Sequence, residues 1–302
     1  MLQFQQHKRT VSPISVRTFY LSGGIMNVKN ADIFGRKVFF IAPNSSLIPL
    51  SFMEKFCTLG YESHILERGN GSLTENIATV TEHFPDAVLL FNIDADAPSP
   101  GWLALIKQLR RQNEQLLIGV IFTADHRERI HDVETKYAND VSPQAGCIAL
   151  SSGDESGNFK TIVAAMEKTG AKGRRNNIRA KCDSSSSVTF STGGTVFHAK
   201  LDDINISHLC CILGENSTLD MKIYEKVRDA HICVDGFEFT SDIMLIMKRN
   251  KGGTATAIFM FIRKPNDEPG LENELEFSLN KKIYQITSKE FSALLRKSHL
   301  SN

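Results

Sequence analysis

Arg175 and Arg179 lie four residues apart in a cationic run, Gly173-Arg174-Arg175-Asn176-Asn177-Ile178-Arg179-Ala180-Lys181, that holds no acidic residue. A guanidinium is planar, permanently charged and forked, so it matches phosphate oxygens bidentately. The same fork fits the O6/N7 edge of guanine, or stacks on a base. Further along comes Asp202-Asp203-Ile204-Asn205-Ile206-Ser207-His208-Leu209-Cys210-Cys211-Ile212, in which Asn205 and Ser207 stand two apart and Cys210 three beyond. At alternate positions of a strand, Asn205 and Ser207 place an amide and a hydroxyl on one face. From there they reach a guanine or a ribose. Taken singly, neither stretch is specific. An arginine pair at this spacing is common on solvated faces, and Asn205-Ile206-Ser207 also fits a glycosylation sequon.

Together, Arg-x-x-x-Arg (Arg175, Arg179) followed by Asn-x-Ser-x-x-Cys (Asn205, Ser207, Cys210) resembles the two-part signature of PilZ domains. That signature reads Arg-x-x-x-Arg, then Asp/Asn-x-Ser-x-x-Gly. PilZ domains are small bacterial β-barrels that bind cyclic di-GMP. The resemblance implies a cytoplasmic cyclic di-GMP receptor that acts as an adaptor in motility or virulence regulation, with no catalysis, no cofactor and no metal. In it Arg175 and Arg179 clamp phosphates and guanine, and Asn205 and Ser207 hydrogen-bond guanine or ribose. Arg174 stacks on a base or helps to hold a stacked ligand dimer. Cys210 stands where the family has glycine. Glycine there permits an unusual backbone angle or a close approach of ligand; a Cβ means either an ordinary backbone or a tighter pocket. The likeness is specific at the two motifs and only architectural after Leu213.

The chain has 302 residues, enough for two domains. A net charge of +1 gives no general attraction to nucleic acid or membrane. Cys57, Cys147, Cys182, Cys210, Cys211 and Cys233 form no Cys-x-x-Cys pair, so reduced thiols are expected rather than a zinc site or a disulfide framework. No apolar run approaches the ~20 residues that span a bilayer. Residues 1–30 carry Lys8, Arg9 and Arg17 without an apolar h-region, and are expected to be a weakly ordered extension.

Residues 31–170 alternate strand and helix. Lys37–Ala42, Tyr61–Leu66, Ala87–Ile93, Leu116–Phe122 and Cys147–Leu150 read as buried strands. Ser51-x-x-Glu54 and Ser72-x-x-Glu75 read as capping boxes, Pro100 precedes a third helix, and Glu128–Ala138 and Phe159–Lys168 read as two more. This predicts an α/β, doubly wound parallel sheet. It resembles a two-component receiver domain: Pro85-Asp86-Ala87-Val88-Leu89-Leu90 approaches the third strand, and Thr123-Ala124 follows the fourth. The receiver's chemistry is missing. Ala42-Pro43-Asn44 replaces its acidic pair, Phe91 its phosphoacceptor, and Leu150-Ser151-Ser152 its lysine. Asp94 and Asp96 lie downstream, as turn carboxylates rather than a phosphorylation site. The expectation is a degenerate receiver that docks a protein partner.

Residues 171–302 read as the PilZ unit, with residues 171–181 as a basic linker. Gly170 and Gly173 bracket the seam. Like charges at Lys172, Arg174, Arg175, Arg179 and Lys181 are expected to hold the linker extended until an anionic ligand folds it onto the barrel and reorients the receiver-like unit. Strands are expected at Val188–Phe190, Thr195–Leu201, Ile206–Leu213, Leu219–Val227, His231–Val234, Phe239–Lys248, Thr254–Arg263, Leu275–Leu279 and Lys282–Ile286. Turns at Gly193-Gly194 and Gly252-Gly253 complete a six- or seven-stranded antiparallel barrel. Thr287-x-x-Glu290 opens a C-terminal helix.

Three rival functions compete with this reading. An enzyme lacks a glycine-rich phosphate loop, an HExxH or a nucleophile elbow, and His126 and His131 lack metal spacing. His208, inside the second motif, either touches ligand or is a surface strand histidine. General nucleic-acid binding lacks aromatics interleaved with the basic run. A PilZ-like interaction scaffold that no longer binds nucleotide is the closest alternative.

Overall fold

The computed structural model describes residues 35–67, 72–124, 126–213, 219–251 and 254–300. The expected extension at residues 1–30 and the Gly252-Gly253 turn lie outside them.

The first unit is a five-stranded parallel sheet: β1 (Val38–Ile41), β2 (Ser63–Leu66), β3 (Val88–Asn92), β4 (Leu117–Thr123) and β5 (Gly146–Leu150), in spatial order β2-β1-β3-β4-β5. That order is one of the two common doubly wound arrangements. Strands β1 and β3 are buried at every position, which is why they read as unbroken apolar runs. Alternate residues feed two cores. Phe39, Ile41, Leu89 and Phe91 face α2 (Leu73–His83) and α3 (Trp102–Gln112). Val38, Phe40, Val88 and Leu90 face α1 (Ser51–Thr58) and α5 (Glu155–Lys168). Helix α4 (Arg127–Asp140) covers the sheet at β5. The capping box at Ser72 is formed in both directions, with Glu75 N donating to Ser72 Oγ and Ser72 N to the Glu75 carboxylate. Ser51 makes no such box. Helix α1 follows directly on a turn, so the Phe52 and Met53 amides donate to the Pro49 and Leu50 carbonyls, and a side-chain cap has no role.

The second unit is a closed six-stranded antiparallel barrel: β7 (Ser187–Thr192), β8 (Thr195–Ile204), β9 (His208–Ile212), β10 (Lys226–Val234), β11 (Phe237–Lys251) and β12 (Thr254–Arg263). The ring runs β11-β10-β7-β8-β9-β12 and closes through β12 on β11. Closure leaves no bare edge among these strands. Two short strands lie outside it, β6 (Ala180–Lys181) on β8 and β13 (Glu268–Pro269) on β12. Val188, Phe190, Leu201, Leu209, Ile232, Ile243, Phe259 and Phe261 fill the interior.

Three further expectations need correction here. The stretch 219–225 is not strand; Leu219 and Met221 are buried against the barrel core, and their carbonyls accept from Lys248 Nζ at 3.1 and 2.7 Å. Leu275–Leu279 and Lys282–Ile286 belong to one long helix, α6 (Asn273–Leu300). Its buried Leu279, Ile283 and Ile286 recur at helical spacing, a period that short apolar windows hide. Thr287 therefore caps nothing: it lies inside α6, where its hydroxyl donates to the Tyr284 carbonyl at 3.0 Å.

Helix α6 joins the two units. Leu279, Ile283 and Ile286 pack into the barrel core, whereas Phe291, Leu294 and Leu295 pack against the first unit. Tyr284 touches both cores, and Thr79 on α2 donates to Ser298 at 3.1 Å.

Candidate functional site

The cationic run leaves α5 and reaches the barrel in two steps. Ile178 and Ala180 alternate inward against the barrel core, and Ala180 pairs with Ile204 on β8. This alternation sends Arg179 and Lys181 the other way, toward the carboxylates of β8. Arg179 Nη1 donates to Asp203 at 3.0 Å, and Lys181 lies 3.1 Å from Asp202 and 3.8 Å from Asp203. Asn177 Nδ2 donates to the Ser207 hydroxyl at 3.0 Å. Arg175 is half-buried and Arg174 exposed. The run is thus docked on the barrel by protein groups, not held extended by its own charges. Asp202 and Asp203, distant in sequence, supply the opposing charge.

The β8–β9 connection faces this run. Asn205 and Ser207 are not on a strand, as their spacing suggested, but in the tight turn between β8 and β9. Asn205 is buried, and its Oδ1 accepts from Ser207 N at 2.8 Å, Ser207 Oγ at 2.9 Å and His208 N at 2.7 Å. With Asn205 N donating to the His208 carbonyl, this is an Asx turn closed on both sides. Ser207 Oγ also lies 2.7 Å from His208 Nδ1. Burial, and then the charge of Arg179, lower the His208 pKa, so the ring is neutral at pH 7.

A β-bulge re-aims the neighbouring carboxylates. The β8–β9 register shifts between Leu201 and Asp203, with Leu201 opposite Cys211 and Asp203 opposite Cys210. Regular alternation sends adjacent residues to opposite faces; a bulge breaks that rule. Here the ligand atoms of Asp202, Asp203 and Cys210 all lie within 4.8 Å of one another. Both carboxylates already face cations. Burial, then Asp203 and Asp202, raise the Cys210 thiol to about 11, so it is protonated and unreactive at pH 7. Cys210 itself sits in β9, paired with Asp203 on one side and Ile258 on the other, on ordinary strand backbone. Burial and the adjacent Arg179 lower the Arg175 pKa, with Asp203 opposing. Among the described residues, Arg179 Nε is buried without a partner.

No family model matches the chain, and no curated protein does. Among solved structures, it is similar to the PilZ domain with c-di-GMP of YcgR from Escherichia coli, at 14% identity over 40% of this chain and 96% of that one, with a TM-score of 0.32. It is also similar to MotI, an inhibitor of motility from Bacillus subtilis, at 11% identity over 37% of this chain and 50% of that one, with a TM-score of 0.29. Similarity to the MrkH–c-di-GMP complex of K. pneumonia is 12% in identity, over 42% of this chain and 57% of that one, with a TM-score of 0.31. The chain spans only about half of these two longer proteins. At such identities and scores likeness decides nothing by itself.

The positions that resemble a receiver are occupied structurally. Phe91 is fully buried in β3 and packs edge-on against Trp102, with ring centroids 5.8 Å apart. Asn44 accepts from Ser46 N and Oγ in its own turn. Asp94 accepts from Thr123 N and Oγ1, both at 2.7 Å, and pairs with Arg129, tying the ends of β3 and β4 to α4. Three contributors to the barrel site carried no clear signal in the sequence. Asn177 lies between the two arginines and looks like any turn residue, and Asp203 precedes the motif. His208 reads equally as a surface residue.

Proposed function

We propose that this chain is a non-catalytic cyclic di-GMP receptor of the PilZ type, with the ligand bound between the basic run and the β8–β9 turn. One observation carries the reading: the two motif halves meet, with Asn177, between Arg175 and Arg179, donating to Ser207 at 3.0 Å. Arg175 and Arg179 take phosphate and guanine. Asn205 Oδ1 and the Ser207 hydroxyl are both engaged within the chain, so Asn205 Nδ2 is the group left for base or ribose, and Ser207 reaches the ligand by exchanging its bond with Asn177. Arg174, exposed beside them, stacks on a base or on a second ligand, and Cys210 lines the floor.

Residues 31–170 and 171–302 act as the two units of a relay. The basic run touches both. A Cβ on Gly60, at the end of α1, would come within 2.4 Å of the Asn176 carbonyl, so the first unit is packed directly against the binding segment. Ligand that shifts Arg175–Arg179 shifts this contact, and the receiver-like unit presents the change to a protein partner. No helix among the described residues is long and apolar enough to cross a membrane; we take the receptor as cytoplasmic.

A second reading is a scaffold that no longer binds nucleotide. It is favoured by the pairing of Arg179 with Asp203 within the chain. Calorimetric titration with cyclic di-GMP separates the two. Wild type binds, and Arg175→Ala or Arg179→Ala loses roughly 1–3 kcal/mol of base recognition, about 5- to 150-fold in affinity. No heat with wild type, or equal affinity in all three proteins, defeats the receptor reading.

A further inference from the structure

Arg179 meets an anion before any ligand arrives. Asp203 lies 3.0 Å from its Nη1 and is only 16% exposed, and the β8 bulge places Asp202 beside it. Around the site stand four cations, Arg174, Arg175, Arg179 and Lys181, against two carboxylates, Asp202 and Asp203. The net local charge is therefore about two positive units, half of what the basic run suggests. We propose that Asp203 is a specificity-determining residue: a built-in rival anion on Arg179 that makes the site reject guanine nucleotides more highly charged than a cyclic dinucleotide. This rests on the receptor reading above.

The reason is electrostatic. A ligand phosphate that engages Arg179 either displaces the Asp203 carboxylate or sits beside it. In the first case one ion pair replaces another and little is gained. In the second the carboxylate repels the newcomer in proportion to its charge. Cyclic di-GMP brings two diester charges, held apart on a ring. Guanosine triphosphate offers the same base with roughly twice that charge on one flexible chain, so the carboxylate penalises it more. Discrimination between ligands that share a base then comes from a repulsive group, not from an added attraction.

The test titrates wild type, Asp203→Asn and Asp202→Asn with cyclic di-GMP and with GTP at physiological salt. Asp202 pairs with Lys181 instead of Arg179, and its replacement removes the same charge. Asp203→Asn is expected to tighten GTP about tenfold and cyclic di-GMP about threefold, so the preference for the cyclic ligand shrinks. Asp202→Asn is expected to shift that preference less. Asp203→Asn that weakens both ligands, or leaves their ratio unchanged, overturns the inference and makes Asp203 a structural partner of Arg179. An equal change of ratio in Asp202→Asn overturns it too, by pointing to general charge. Both substitutions keep side-chain size, and unfolding curves of each protein verify that the fold is retained. Absence of cyclic di-GMP binding by wild type removes the receptor reading and this inference together, whereas binding without the ratio change removes only the inference.

Discussion

Asn205 illustrates how a motif residue can hold a site together. One oxygen gathers three donors and fixes the β8–β9 turn on which Ser207 and His208 sit. Asn205→Ala leaves those donors in a half-buried turn without their acceptor, at a cost of about 1–3 kcal/mol. Urea denaturation should show a lower midpoint with an unchanged slope; an unchanged midpoint would mean that the turn closes without the amide. At this scale the sequence was informative about residue type and weak about geometry. Arg175, Arg179, Asn205 and Ser207 stood out by spacing. Their arrangement did not, because Asn205 and Ser207 lie in a turn and the Asp202–Asp203 bulge breaks alternation. A bulge follows from pairing between strands, so a linear pattern does not contain it.

Strands of the parallel sheet were legible because burial on both faces makes them continuous apolar runs. Helix α6 was not, since its first half presents isolated apolar pairs that fit either period. Its second half makes a contact with a pH signature. His64 on β2 lies between Phe39 and Phe291, with ring centroids at 5.5 and 4.6 Å, and its Nδ1 is buried without a partner among the described residues. Its Nε2 lies 3.4 Å from Glu62, which also pairs with Lys37. Burial, then the Lys37 charge, lower its pKa to about 3. A folded value depressed below the unfolded one means that the unfolded chain takes the proton first. The contribution is intact above the ordinary histidine value near 6.5 and is lost as pH falls toward about 3. Over that window one proton costs at most about 1.4 kcal/mol per pH unit. His64→Phe should flatten the decline of stability on acidification, read from denaturation midpoints at several pH values. Parallel declines in the two proteins would assign the acid sensitivity elsewhere.

For the molecule as a whole, the two-unit plan was visible in the change from alternating strand and helix to successive strands. The way the units meet was hidden, because it depends on contacts between distant segments. Gly60 against Asn176, the Cys57 thiol 3.9 Å from the Asn280 carbonyl, and α6 lying across both cores leave the basic run wedged between sheet and barrel. A receptor built this way needs no detached linker: small displacements of a packed segment pass to its neighbours. In the first unit Phe91 lies in the core and Asp94 is tied to Thr123 and Arg129. Amide chemical-shift mapping with cyclic di-GMP tests this most directly. The account predicts shifts at Arg175–Arg179 and at Asn205–His208 in the same titration, extending to Gly60 in the first unit. Shifts in only one of the two motif stretches, or only around Asp94 and Thr123 at the sheet edge, would contradict it.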